Sequence, residues 1–167
     1  MKVLVIYNID HNWDATEINY TRNSNTVLAE ALAKEGFETY LEELSNPHLE
    51  CILEKHSPED TIVFNLCEAL PGIPFSEKTV TEILSDRGFT YTGNGPEVID
   101  LSYDKQKTNE RIISLGIPVP EGAVLTPEEA GSWTLFPSIV KPSREHCSLT
   151  ITEKSVVFDT NSLREQI

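Results

Sequence analysis

An α/β architecture is what this sequence predicts: a parallel, doubly wound sheet over roughly the first hundred residues, then a small and incomplete α+β unit. Three observations carry that expectation. The chain opens on an unbroken apolar run, Val3-Leu4-Val5-Ile6-Tyr7, as a strand buried on both faces requires. Further short apolar runs then alternate with stretches of helical periodicity, which implies parallel strands, right-handed crossovers and ligands beyond the C-terminal ends of the strands. After Tyr103 the alternation gives way to proline-spaced extended segments and short strands.

Taken in order, residues 3–7 form the first strand and the polar stretch 8–23 an irregular loop. Asn23 or Ser24 caps a helix that sets Val27, Leu28, Ala31 and Leu32 inward and stops at Gly36. Residues 37–41 return as the second strand, 47–56 as a short helix opened by Pro47, and 61–66 as the third strand. A Pro/Gly loop over 68–75 leads to a helix at 76–87 with Val80, Ile83 and Leu84 inward, and Gly88 ends it before a strand at 89–92. The N-terminal domain is expected to occupy residues 1–101. The second unit, 102–167, is read as a helix at 104–115, an extended stretch at 117–125 and a turn at 126–129. Strands at 138–141, 149–152 and 155–158 and a helix at 162–166 complete it.

A hydrophobic fraction of 39% and a charged fraction of 24% match a folded globular chain, without a repeat or a low-complexity tract. The net charge of −14 argues against a nucleic-acid partner, because phosphate backbones are bound by clustered Lys and Arg. A small polyanion is still a suitable ligand, since its site needs only a few local cations and backbone amides. Cys51, Cys67 and Cys147 are an odd and widely spaced set, which fits reduced thiols and a cytoplasmic location better than a disulfide framework. The N-terminal apolar run is too short for a signal peptide and no segment has membrane-spanning length, so no membrane partner is expected.

One stretch carries chemistry. In Phe136-Pro137-Ser138-Ile139-Val140-Lys141-Pro142-Ser143-Arg144-Glu145-His146-Cys147-Ser148 an apolar strand delivers a lysine into a polar loop, and Pro142 forbids further ladder pairing. It reads as half of a phosphate site. Two other segments in the first part end strands with polar groups, Val63-Phe64-Asn65-Leu66-Cys67-Glu68 and Tyr91-Thr92-Gly93-Asn94.

Those segments, with Asp104-Lys105-Gln106-Lys107-Thr108, Gly116-Ile117-Pro118-Val119-Pro120 and Ile139-Val140-Lys141-Pro142-Ser143-Arg144-Glu145, resemble the D-alanine–D-alanine ligase group of the ATP-grasp superfamily. The resemblance implies a Rossmann-like, pre-ATP-grasp N-terminal domain followed by an incomplete ATP-grasp central lobe. It also implies an activity for the parent protein: a carboxylate is activated as an acyl phosphate with ATP and magnesium, and an amine then displaces the phosphate.

By position, Lys105 and Lys141 are implied contacts of the ATP phosphates, where fixed positive charge favours phosphoryl transfer. The plainer reading of each is a solvated surface lysine. The loop 143–150 stands where the family carries a glycine-rich phosphate cover, but here it has no glycine. Ser148 is then the preferred donor, with Arg144 second. Glu17, in the loop after the first strand, and Glu68, after the third, are candidate substrate contacts. An exposed loop glutamate and a helix-capping role remain their respective alternatives. Cys67 and Cys147 are read as small hydrophobes or bystanders rather than nucleophiles. The loop from Cys67 to Glu77 lacks the His-Gly and Gly-Glu-Asp-Gly pattern of the dipeptide ligases, so specificity for D-alanine does not carry over.

Magnesium and ribose ligands come from a C-terminal lobe in the family and have no counterpart here, so the chain is expected to be inactive in ligation alone. The final helix lacks a glycine cap, which favours a cut within a longer protein. Nucleotide and carboxylate or amine substrates are the expected partners, with homodimerisation open. The competing reading is a non-catalytic nucleotide- or partner-binding module of the same descent. A bacterial receiver domain, suggested by Asp10 and Lys141-Pro142, is set aside because Asn65 stands where the phosphoacceptor aspartate belongs.

Overall fold

In the computed structural model, which describes every residue except His11, His146, Cys147 and Leu149, the opening apolar run is strand β1, Lys2–Asn8. It pairs in parallel with β2, Glu38–Leu44, on one side and with β3, Thr61–Leu66, on the other. A short β4, Thr90–Tyr91, extends the sheet to the order β2-β1-β3-β4. This is the Rossmann-like parallel arrangement that the alternation of strands and helices implies.

Register sorts β1 by face. Leu4 and Ile6 lie beside Val63, and together they join Leu49, Ile52, Leu53, Val80 and Leu84 in the main core. Those last residues come from α2, Glu50–Leu53, the turn before it, and α3, Glu77–Asp86. The opposite face carries Val3, Val5 and Tyr7 and faces α1, Ala15–Lys34. There the Tyr7 hydroxyl donates to Glu43 at 3.1 Å, and Arg22 of α1 holds both oxygens of that carboxylate at 2.8 and 2.9 Å. A bidentate pair of this kind fixes the helix's rotation over β1 and β2.

Helix α1 begins well before the expected start at residue 23 or 24. Asp14 is its cap: the carboxylate accepts from the backbone N–H of Thr16 and Glu17, while Glu17 reaches back to the Asp14 N–H at 2.8 Å. This capping box starts the helix in a stretch that looks irregular because it is rich in polar residues; Asn25 is the one buried residue of the helix. Val27, expected inward, is 65% exposed, and Leu28 and Leu32 are half-buried.

Other bounds shift by local chemistry. Strand β2 runs on to Leu44, and α2 shrinks to a single turn. Ser76 does not cap α3 with its side chain, because its hydroxyl is committed to the preceding loop, accepting from the Leu70 N–H at 2.7 Å and donating to the Ile73 carbonyl. Helix α4, Pro96–Tyr103, lies where no element was expected, with Pro96 at its first position.

The chain divides between Ile99 and Asp100 into two compact units. The second opens with α5, Lys105–Ser114, which Asp104 caps by accepting from the Lys107 N–H at 3.0 Å. The expected turn at 126–129 is a longer 3-10 helix, Pro127–Ser132. Strands β5, Ser138–Ile139, and β6, Val156–Val157, pair antiparallel and are shorter than expected. Leu149 of the strand expected at 149–152 lies outside the described residues; Thr150 is in a turn, and Thr152 caps a short 3-10 turn, Glu153–Ser155, instead of joining a sheet. Helix α6, Thr160–Gln166, begins two residues before Ser162, because Asp159 caps it with Ser162 answering in a capping box.

Among the described residues, twelve buried residues form the core of the first unit, against three, Ala130, Val157 and Leu163, in the second. Segments with few buried apolar contacts open most readily. Limited proteolysis is therefore expected to cut the second unit first, beyond Tyr103, and equal resistance along the chain would contradict this.

Hydrogen bonds depress several carboxyl groups. Arg22 holds Glu43 below its usual range, the N–H groups of Glu17 and Thr16 do so for Asp14, and the Ser162 N–H does so for Asp159. A carboxylate with a depressed folded pKa stabilises the fold above its unfolded value of about 4 and loses that contribution as pH falls through the folded one. The melting temperature should be level above about pH 5 and decline below about pH 4. Glu43→Gln should lower the plateau and flatten the decline, and an unchanged acid profile would remove Glu43 from this account.

Candidate phosphate site

Lys141 and Lys105 reach one place from different elements. Val140, just before Lys141, donates its N–H to the Ser155 carbonyl at 2.8 Å, which anchors the chain beyond β5. Lys105 is the first residue of α5, set there by the Asp104 cap. Its backbone N–H donates to the Ser143 carbonyl at 3.1 Å, and its ammonium donates to the Glu145 carbonyl. These bonds draw the loop after Lys141 onto the start of α5.

The result is a cavity of about 270 Å³ lined by Ser102, Lys105, Lys141, Glu145, Ser148 and Thr150, among others. It falls at the small end of ligand pockets, roughly 300–1,000 Å³, and suits a phosphate chain better than a whole nucleotide. Two lysines line so small a space, and an anion bound between them would offset the repulsion of their like charges. Ser102, Ser148 and Thr150 line the same space, and a hydroxyl is a donor type that a phosphate oxygen accepts from.

Ser148 has φ of +58°. That is the left-handed region, which glycine enters without a Cβ clash and which costs serine roughly 1 kcal/mol or more. The loop thus adopts a glycine-like backbone at one described position although its sequence contains no glycine. His146, Cys147 and Leu149 of the same loop lie outside the described residues.

Arg144 is placed differently from Lys105 and Lys141. It is absent from the cavity lining, and its side chain, 71% exposed, pairs with Asp104 at 3.2 Å. Hydrogen bonding from the Lys107 N–H, then from Arg144, keeps the Asp104 carboxyl below the usual carboxylate range.

The two candidate substrate carboxylates belong to the first unit, and Glu68 is not among the residues lining the groove beside Glu17. Glu17 lies in the capping box of α1 rather than in a loop, and it lines an open groove of about 410 Å³ with Trp13, Thr16, Tyr20 and Thr21. Glu68 is exposed just beyond β3, and its N–H is held by the Asn8 side chain at 2.9 Å. That bond joins the ends of β1 and β3, the neighbouring strands at which the sheet's winding reverses and where ligands of such sheets bind. Asn65 accepts from the Cys67 N–H at 3.1 Å. Cys67 itself is buried, and desolvation pushes its thiol up to about 12, which suits an inert packing residue.

Sequence reasoning missed Asn8, Ser102, Thr150 and Asp104. The Asp104-Lys105-Gln106-Lys107 pattern, an aspartate directly before a helix, was the readable signal for the last of these. A divalent cation does not fit the lining of the phosphate cavity, where two lysines outnumber the single carboxylate, Glu145; hard cations are held by several oxygen ligands. Among the described residues no group of three or more His, Cys, Asp or Glu can hold a metal ion. No described helix is long and apolar enough to cross a membrane.

No family model matches the chain. Among curated proteins it is similar to the D-alanine–D-alanine ligase of Aquifex aeolicus, 31% identical over 158 residues, covering 90% of this chain and 50% of that protein. The D-alanine–D-alanine ligase of Ectopseudomonas mendocina is 31% identical over 132 residues, 77% of this chain and 40% of that protein. That of Erythrobacter litoralis is 28% identical over 139 residues, 82% and 41% respectively. The chain thus spans half or less of the length of these relatives.

Strain at Ser148 has a direct test. Ser148→Gly is expected to raise thermal stability by a few degrees relative to Ser148→Ala, since glycine alone relieves the left-handed backbone. Equal melting temperatures for the two variants would contradict it.

Proposed function

We propose that this chain, a member of the D-alanine–D-alanine ligase-like branch of the ATP-grasp superfamily related over nine tenths of its length to the ligase of Aquifex aeolicus, binds the phosphates of ATP through its second unit for carboxylate–amine ligation. The observation that carries this reading is the convergence of Lys105, from a helix start, and Lys141, from a strand end, on one cavity with Ser148. In this reading residues 1–101 are the pre-ATP-grasp domain and 102–167 belong to the central lobe.

ATP, when bound, supplies the phosphoryl group that turns a carboxylate into an acyl phosphate open to attack by an amine. The part of this chain is positioning and charge. Lys105 and Lys141 neutralise the phosphate chain from two sides, and the Ser148 hydroxyl donates to a phosphate oxygen. Such charge must be fixed in advance to favour a transition state in which negative charge spreads over phosphate oxygens. Within the first unit by itself, Glu68 at the sheet's edge and Glu17 in the α1 groove are each suited to an ammonium group. The loop from Cys67 to Glu77 gives no reason to name D-alanine as the substrate.

Calorimetry with ATP tests the phosphate site. A hydrogen bond to a charged group contributes about 1.5–3 kcal/mol, so Lys141→Ala is expected to weaken ATP binding by roughly ten- to a hundredfold. Equal binding by the variant would remove the phosphate role. Phosphate release with ATP, magnesium and amino acids is not expected from this chain by itself, and clear turnover by the pure chain would overturn that expectation.

A further inference from the structure

The contacts of Asp104 do more than start a helix. Its Oδ1 accepts from the Lys107 N–H at 3.0 Å, and its Oδ2 accepts from Arg144 Nη2 at 3.2 Å, with Lys107 Nζ 3.9 Å from the same oxygen. Next along the chain, Lys105 grips the same stretch twice, through its backbone N–H to Ser143 and its ammonium to the Glu145 carbonyl. Residues 143, 144 and 145, which follow Lys141 and Pro142 directly, are thus each tied to the first turn of α5 or its cap.

These ties respond differently to a phosphate. The Lys105 ammonium donates to a neutral carbonyl, and an anionic oxygen is the stronger acceptor, because charge-assisted hydrogen bonds with both partners ionised are shorter and stronger. Lys105 can exchange the Glu145 carbonyl for phosphate. The Ser143 bond uses the Lys105 backbone N–H and not that ammonium, and neither Asp104 nor Arg144 is among the cavity-lining residues, so both ties survive the exchange.

We propose that Asp104 and Arg144 form a tether that keeps the loop after Lys141 in register with α5 while Lys105 changes partner. Asp104 is then a positioning residue, and Arg144 serves the tether and not the phosphate. This inference rests on the reading of Lys105 and Lys141 as phosphate ligands.

The test compares ATP affinity by calorimetry in Asp104→Asn, Arg144→Gln and the double variant. Asparagine is as good a helix cap as aspartate, so Asp104→Asn removes charge and leaves the helix start in place. An ion pair this exposed changes an equilibrium by about two- to fivefold. Each single variant should weaken ATP by that factor, and the double variant no further than either. If Arg144 instead contacts phosphate, Asp104→Asn leaves affinity unchanged or improves it while Arg144→Gln weakens it alone, and the proposal falls. Trypsin, which cuts after arginine, gives a reading independent of nucleotide: Asp104→Asn should speed cleavage after Arg144 by a similar factor, and an unchanged rate also overturns the tether. Should the unmodified chain fail to bind ATP, the phosphate reading fails by itself, and the trypsin result still decides whether the tether exists.

Discussion

Everything in the first unit depends on β1 being paired in parallel on both sides. A strand so placed has no edge and no solvent face, so its five central residues are apolar and its polar group, Asn8, can stand only at the end. Parallel neighbours cannot be joined by hairpins. Each must be reached by a crossover: α1 lies in the one from β1 to β2, α2 in the one from β2 to β3 and α3 in the one from β3 to β4. The same geometry aligns the ends of β1 and β3, which lets the Asn8 side chain fasten the backbone at Glu68. A polar edge for binding is thus a product of the way the core is built.

The second unit solves a different problem with less material. Its small cluster of Ala130, Val157 and Leu163 leaves α5 without a single buried residue. What positions Lys105 is polar: a capping carboxylate, a backbone bond to Ser143 and the ion pair to Arg144. Such contacts are individually weak in water and act together through geometry. A site assembled in this way can adapt to a ligand more readily than one braced by tight apolar packing.

The sequence made the sheet legible where burial dictates composition. Strands β1 and β3 and helix α3 stand close to where their apolar patterns put them. The start of α1 was hidden because its first turns are mostly exposed and polar, with only Ile18 and Thr21 half-buried, and the Asp14–Glu17 spacing is what announces it. Helix α4 was missed for a related reason: Gly95-Pro96 reads as a turn, yet proline is equally at home in a first helical turn. Lys105 and Lys141 stood out by their place in the family's motifs. That they line one cavity depends on the Lys105–Ser143 backbone bond, a long-range pairing with no local sequence signature. Arg144 looked like a second phosphate donor by its position in the loop; its pairing with Asp104 again depends on tertiary placement.

Cys67 leaves the molecule with a built-in clock. Its thiol is buried in the main core and pushed up to about 12, whereas Cys51 is exposed on the same unit. A thiol reagent meets Cys51 at once but reaches Cys67 only when the packing of Leu4, Ile6 and Val63 loosens. The lag between the two modifications measures how often the sheet breathes.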